Sequence, residues 1–261
     1  MTDDTILLDA AGPIARLTLN RPEKLNSLTR SMLADLRSAL DTVASTTHVR
    51  VLVLTGAGRA FCAGQFLGEE EAFADPQAVE TQIRDYYNPV VRTLRDMPMP
   101  VLAAVNGVAA GAGCSLALAC DIAVATRSAS FLMAFSSIGL VPDAGSTYML
   151  PRIVGSARAL GLAMLGEPVP AETAALWGLV LEAVRDEAFV ARVEEIAKSL
   201  ANKPTQALVL TRRAILRGET EAFDAQLEHE AAFQADAIAT ADAKEGIAAF
   251  REKRDPVFVG R

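Results

Sequence analysis

Two short runs of branched apolar residues, 49–54 and 101–105, are nearly continuous, and each is followed by a glycine or an Asn-Gly pair. Runs of that kind leave no polar face for water, so they fit strands covered on both sides. Residues 122–125 are a weaker third example. Residues 14–20 alternate apolar and polar and end at Arg21-Pro22, the pattern of a half-buried strand closed by a turn. From Thr29 onward, Leu33, Leu36, Leu40 and Val43 recur at three- and four-residue spacings, which predicts an amphipathic helix. Strands separated by helical stretches need crossover connections, so the first two-thirds of the chain is expected to form an α/β core.

After Gly155 the pattern turns helical, over 157–165, 171–177, 187–200, 205–216, 221–238 and 244–253. The division expected is a βαβ core over 1–200 and a helical region over 201–261. The most polar break, 69–80, reads as a mobile loop. About half of the 261 residues are apolar, enough for a sizeable core. The net charge of −7 would repel a phosphate backbone, so no nucleic-acid partner is expected. Cys62, Cys114 and Cys120 form no CxxC pair, which suits reduced thiols and a cytoplasmic protein without structural zinc. Residues 1–11 resemble no secretory leader. The longest apolar tract, 101–119, is broken by Asn106 and three glycines, so no membrane span is expected.

Several nucleotide and nucleophile motifs fail. Gly56-Ala-Gly58 lacks the third glycine of a dinucleotide fingerprint, with Phe61 in its place, and neither a phosphate-binding G-x-x-x-x-G-K-[ST] loop nor a G-x-S-x-G elbow is present. The two histidines, His48 and His229, stand at a helix end and in a charged helix, where a surface role is expected. Cys62 and Cys114 read as small buried thiols. Two glycine-rich corners stand out instead: residues 61–67 soon after the first apolar run, and residues 106–115 between the second run and a helix. Small residues there let a ligand approach the main chain, and a helix start offers unpaired N–H groups to an anion. Composition alone leaves tight helix–sheet packing equally open.

Together with Leu19-Asn-Arg-Pro22, Leu25-Asn26 and Gly139-Leu-Val-Pro-Asp143, these corners resemble the crotonase (enoyl-CoA hydratase/isomerase) superfamily over nearly the whole chain. The resemblance implies an α/β, crotonase-like spiral of βαβ units with a C-terminal helical region, 201–261, that assembles a homotrimer or homohexamer. It implies an acyl-CoA substrate, no cofactor beyond the CoA moiety of that substrate, and no metal. The backbone N–H groups of Gln65 and Ala112 would form an oxyanion hole for the thioester. Lys24, Leu25, Ala63, Gln65, Phe66, Leu67, Gly111 and Tyr87 would contact CoA or the acyl group, although Lys24 also reads as a solvated lysine and Tyr87 as core.

Departures from the pattern direct the choice of reaction. Hydratases of the superfamily carry two glutamates where this chain has Ser115 and Phe135. Losing an acid and a base, each contributing about 10²–10⁴-fold, disfavours hydration. This chain has Asp143 where hydratases commonly have glycine, and isomerases often use a carboxylate there. A helix-capping role is the structural alternative for Asp143, ahead of the helix-like residues 146–150. Phe135, Ile138, Leu140 and Val141 are expected to desolvate it. Residues 61–65, 87–89, 135–136 and 253–258 narrow the resemblance to isomerases of phenylacetate catabolism, which act on 1,2-epoxyphenylacetyl-CoA and are similar to Δ3-Δ2 enoyl-CoA isomerases. Phe66 departs from them, since an aspartate is usual there. The expected activity is therefore acyl-CoA isomerisation. A general hydratase, a thioester hydrolase and a non-catalytic CoA- or RNA-binding scaffold are the alternatives.

Overall fold

The computed structural model describes residues 4–260; of residues 1–11, read above as lacking a leader, 1–3 lie outside that range. The described residues form ten strands: β1 (Ile6–Asp9), β2 (Ile14–Leu19), β3 (Val51–Gly56), β4 (Ala60–Cys62), β5 (Val101–Val105), β6 (Val108–Ala110), β7 (Ile122–Thr126), β8 (Ser130–Leu132), β9 (Val169–Pro170) and β10 (Glu182–Val184). They build two sheets, one ordered β1-β2-β3-β5-β7-β10 and one ordered β4-β6-β8-β9. Both are parallel except at one edge, where β1 pairs antiparallel with β2 and β9 with β8. Eleven α-helices accompany them: α1 (Arg30–Ser45), α2 (Pro76–Thr81), α3 (Asn88–Asp96), α4 (Ala112–Ala119), α5 (Ser146–Val154), α6 (Ser156–Leu165), α7 (Ala171–Leu176), α8 (Asp186–Ala201), α9 (Thr205–Gly218), α10 (Phe223–Ala239) and α11 (Ala241–Glu252).

The unbroken apolar runs have the cause expected of them. Leu52, Leu54, Val101, Ala103 and Val105 enter a core shared with Leu33, Leu36, Leu40 and Val43 of α1. Val51, Val53, Leu102 and Ala104 pack on the opposite face against Phe189, Val193 and Ile196 of α8. Burying each such side chain contributes roughly 1.5–3 kcal/mol, so neither face tolerates a polar residue cheaply. Helix α1 starts where Thr29 caps it, its hydroxyl accepting the Met32 N–H at 3.2 Å.

Residues 69–80 correct the loop expectation. Glu70–Phe73 forms a 3₁₀ turn, and α2 follows with Asp75 as its cap, accepting the Ala78 N–H at 2.8 Å, and Pro76 in its first turn. The acidic cluster hides an ordinary helix-start signal. Short strands were also hidden within the glycine-rich corners: β4 occupies the start of the first, and β6 separates the Asn106-Gly107 turn from α4. Asn26 and Asn106 fasten these turns. Asn26 donates to the carbonyls of Ala57 and Ala60, and Asn106 donates to those of Gly56 and Gly58.

The end of the chain returns to the sheet. Arg50, just before β3, donates to the Thr205 hydroxyl at 2.6 Å, the Lys203 carbonyl at 2.6 Å and the Phe258 carbonyl at 3.0 Å. Buried Asp242 accepts the N–H groups of Val259 and Gly260 at 2.6 and 2.7 Å. Helix α9 is tied down through Arg212, which pairs with Asp121 at 3.0 Å. By contrast α10 has no buried side chain, and Phe223 and Phe250 are 76% and 86% exposed.

Candidate active site

The first corner follows β4. Gly64 has φ +86°, and a Cβ there would stand 2.8 Å from the Ala110 carbonyl oxygen and 3.3 Å from the Ala112 nitrogen. Only glycine can hold this turn, and its bare backbone brings the two corners together. Leu28 pins the chain on both sides of Gln65: its N–H donates to the Gly64 carbonyl at 2.7 Å, and its carbonyl accepts the Phe66 N–H at 2.8 Å. A parallel bridge of this kind turns the N–H of Gln65 itself away from Leu28.

The second corner turns at Gly111, φ +52°, whose N–H donates to the Leu132 carbonyl at 2.7 Å. Ala112 is then the first residue of α4, where a helix has no internal partner for its N–H. Among the described residues neither the Gln65 nor the Ala112 N–H donates to a protein acceptor. The packing reading holds at Gly113, where a Cβ would lie 2.2 Å from the Cys62 carbonyl, whereas Gly64 and Gly111 adopt the positive φ of turns.

Asp143 lies on the chain leading into α5. Ala144 and Gly145 both adopt positive φ, 49° and 79°, reversing the backbone before the helix. Gly145 occupies the cap position and no side chain caps α5, so the capping alternative for Asp143 does not hold. Its carbonyl is held instead, accepting from the Ser146 hydroxyl at 2.8 Å and the Ser115 hydroxyl at 3.2 Å. Oδ1 of the carboxylate is buried and has no hydrogen-bond partner among the described residues. Burial pushes the carboxyl up to about 6. A carboxylate so placed is a proton acceptor matched to neutral pH.

Of the four apolar side chains expected around it, Phe135 is buried, whereas Ile138, Leu140 and Val141 are exposed by 50%, 38% and 76%. The 3₁₀ turn Ala134–Ile138 directs only Phe135 inward. That ring lies 3.8 Å from the position of a Cβ on Gly111, beside the second corner. Buried Ser115 and Phe135 thus supply neither acid nor base there.

Tyr87 is buried, and its hydroxyl donates to Oε1 of Gln65. Burial raises its pKa well above the usual phenol range, and the nearby charges of Cys62, Asp143 and Glu69 add to this. Tyr87 therefore belongs to the same neighbourhood as Gln65 and Asp143. Leu25 meets the first corner directly, its carbonyl accepting the Ala63 N–H at 2.9 Å, and exposed Lys24 precedes it. Phe66 stacks under Arg21, whose guanidinium carbon is 5.1 Å from the ring centroid, and Leu67 is 56% exposed beside it. Cys62 and Cys114 are buried with thiols pushed up to about 12, too high for a nucleophile. His48 is exposed, and its Nε2 lies 2.8 Å from the Ala10 carbonyl oxygen. Three residues near Gln65 were not anticipated: Arg30, Glu69 and Gln82.

The family model described as enoyl-CoA hydratase/isomerase matches residues 9–261. The 1,2-epoxyphenylacetyl-CoA isomerase of Escherichia coli is 47% identical over 250 residues, 95% of each chain. A protein of Rhodobacter capsulatus named probable enoyl-CoA hydratase is 44% identical over 261 residues, 100% of each. An enoyl-CoA hydratase structure from Bacillus anthracis superposes with a TM-score of 0.92 at 34% identity, covering 98% of this chain and 100% of the other. The two mixed sheets and trailing helices are therefore the crotonase fold.

Proposed function

We propose, from the premise that this chain belongs to the enoyl-CoA hydratase/isomerase family, that it is an acyl-CoA isomerase in which Asp143 moves the proton. The observation that carries this reading is the buried Oδ1 of Asp143, unpartnered among the described residues and on a carboxyl pushed up to about 6. A structural aspartate of that kind would be a net cost to the fold; a base awaiting a C–H bond has reason to be so placed.

The thioester carbonyl sits between the N–H groups of Gln65 and Ala112. As Asp143 takes a proton from the α-carbon, negative charge collects on the carbonyl oxygen, where these two donors stabilise it. Removing one such donor typically costs about 10²–10³ in kcat. The protonated Asp143 then returns the proton to a distal carbon of the conjugated enolate. A 3-enoyl thioester becomes a 2-enoyl thioester in this way; with an epoxide of a phenylacetyl thioester, the same deprotonation accompanies ring expansion to the oxepin. Mass is unchanged in either case. CoA lies over the first corner, near Ala63, Gln65, Phe66 and Leu67, with Lys24 and Leu25 alongside, and Gly111 and Tyr87 face the acyl group. Residues 201–261 form the assembly region of a homotrimer or homohexamer, a reading supported by the unburied faces of α10 and α11.

Hydration is the second reading, favoured by the name of the Rhodobacter capsulatus relative. The test is to incubate the protein with 3-enoyl-CoA and with enzymatically generated epoxyphenylacetyl-CoA, and to follow mass and absorbance. Isomers of unchanged mass that disappear in Asp143→Asn support the proposal. A product heavier by one water, or turnover retained in Asp143→Asn, would overturn it.

A further inference from the structure

The Tyr87 hydroxyl takes no part in the proton shift described above, yet its proton is committed. Together with Nε2 of Gln82, 3.2 Å away, it donates to Oε1 of Gln65. Nε2 of Gln65 donates in turn to the Phe66 carbonyl and to Oε2 of Glu69, both at 3.3 Å. Each polar atom of the carboxamide is therefore engaged twice, its full capacity. The contacts close into a ring. Arg30 donates through Nε to Oε1 of Gln82 at 2.5 Å, and the backbone N–H of Arg30 donates to the Glu69 carboxylate at 3.2 Å. Gln82 is only 4% exposed.

The meeting of Gln82 and Tyr87 on one oxygen is unexpected from sequence spacing. Five residues along an α-helix turn a side chain through about 500°, roughly 140° away from the starting face. The segment Gln82–Tyr87 is instead a π-helical turn, and the Asn88 N–H reaches back five residues to the Ile83 carbonyl. The wider turn brings positions five apart closer to one face. Such turns are rare and gather at functional sites.

We propose that Tyr87 and Gln82 are positioning residues: they hold the Gln65 carboxamide and, through it, the backbone N–H that Gln65 directs at the thioester oxygen. The proposal rests on the oxyanion reading above. Leu28 fixes the peptides flanking Gln65, and the carboxamide network fixes the remaining freedom about its Cα. A misplacement of about 1 Å can cost on the order of 10²-fold in rate, so the network acts on the transition state more than on substrate affinity.

The experiment compares wild type, Tyr87→Phe and Gln82→Met. It reads kcat and KM with 3-enoyl-CoA, the acidic limb of the pH profile, and the infrared carbonyl band of bound isotope-labelled butyryl-CoA, which has no double bond to shift. Tyr87→Phe is expected to lower kcat by about 10- to 100-fold, with KM within about threefold and the acidic limb unmoved. Its carbonyl band should move back towards the solution position. Gln82→Met should change in the same direction by a smaller factor, and it carries the test alone should Tyr87→Phe not fold. A wild-type carbonyl band and kcat in both variants would overturn the positioning role, as would a loss confined to KM. A wild-type protein that leaves the carbonyl band at its solution position would overturn the oxyanion reading and this proposal with it, a result distinct from the first.

Discussion

Asp143→Asn is expected to abolish turnover and to make the protein more stable, and the size of the gain follows from the burial of the carboxyl. Its pKa rises from the ordinary 3.8 to about 6, with burial as the leading cause. That gap corresponds to roughly 3 kcal/mol of disfavour for the charged form in the folded protein. An asparagine amide inherits the same partnerless position at a cost of about 1 kcal/mol, so the net gain is about 1–2 kcal/mol above pH 7. The sign with pH is fixed. The folded-state value is the higher one, so the stabilising contribution of the bound proton is complete below about pH 4 and lost as pH rises through about 6. Asparagine has no such titration. Urea unfolding of both proteins at about pH 4.5, 6 and 8 should show curves that nearly coincide at the acid end and separate towards neutrality. In thermal unfolding the separation at about pH 8 should be about 2–8 °C. An Asp143→Asn protein less stable than wild type at about pH 8, or more stable by the same amount at every pH, would refute the burial argument.

Three further outcomes are expected. The kcat/KM profile should fall on the acid side with an apparent pKa near 6, because only the deprotonated Asp143 accepts a proton; stopped assays across the pH range measure it. Gly64→Ala should lower kcat by about 10²-fold while CoA binding persists, because its methyl group meets the Ala110 carbonyl and shifts the Gln65 N–H; steady-state kinetics and a CoA titration separate the two effects. Asp242→Ala should cost about 2–3 kcal/mol and expose the tail to protease, since the N–H groups of Val259 and Gly260 lose their acceptor; urea unfolding and limited proteolysis report each part.

The fold was legible where hydrophobic pattern acts over enough residues. Doubly covered strands such as β3 and β5 declare themselves by having no polar face, and α1 by its three- and four-residue spacing. Strands of three residues, β4 and β6, are too short to show a period and are fixed by pairing with each other. The two glycine-rich corners were legible because positive φ and close backbone approach demand glycine. Asp143 stood out through the company of the corners, but the uneven burial of its apolar sequence neighbours did not: Phe135 is buried, whereas Ile138, Leu140 and Val141 are exposed. The Gln65 network was illegible too. Gln82 and Tyr87 share a face only in the register of a π-turn, which no α-helical or strand period would suggest.

The main-chain origin of the two unpaired donors bears on how such a protein can change over generations. Substituting the side chain of Ala112 does not delete its N–H, provided the helix still starts there. On the roles proposed above, random mutation finds the donor pair hard to remove and the single carboxylate on a separate turn easy to replace. A lineage built on this plan can exchange one side-chain chemistry for another while its two main-chain donors persist. In a saturation library of this chain, the same asymmetry should leave position 112 tolerant of several small residues and position 143 of almost none.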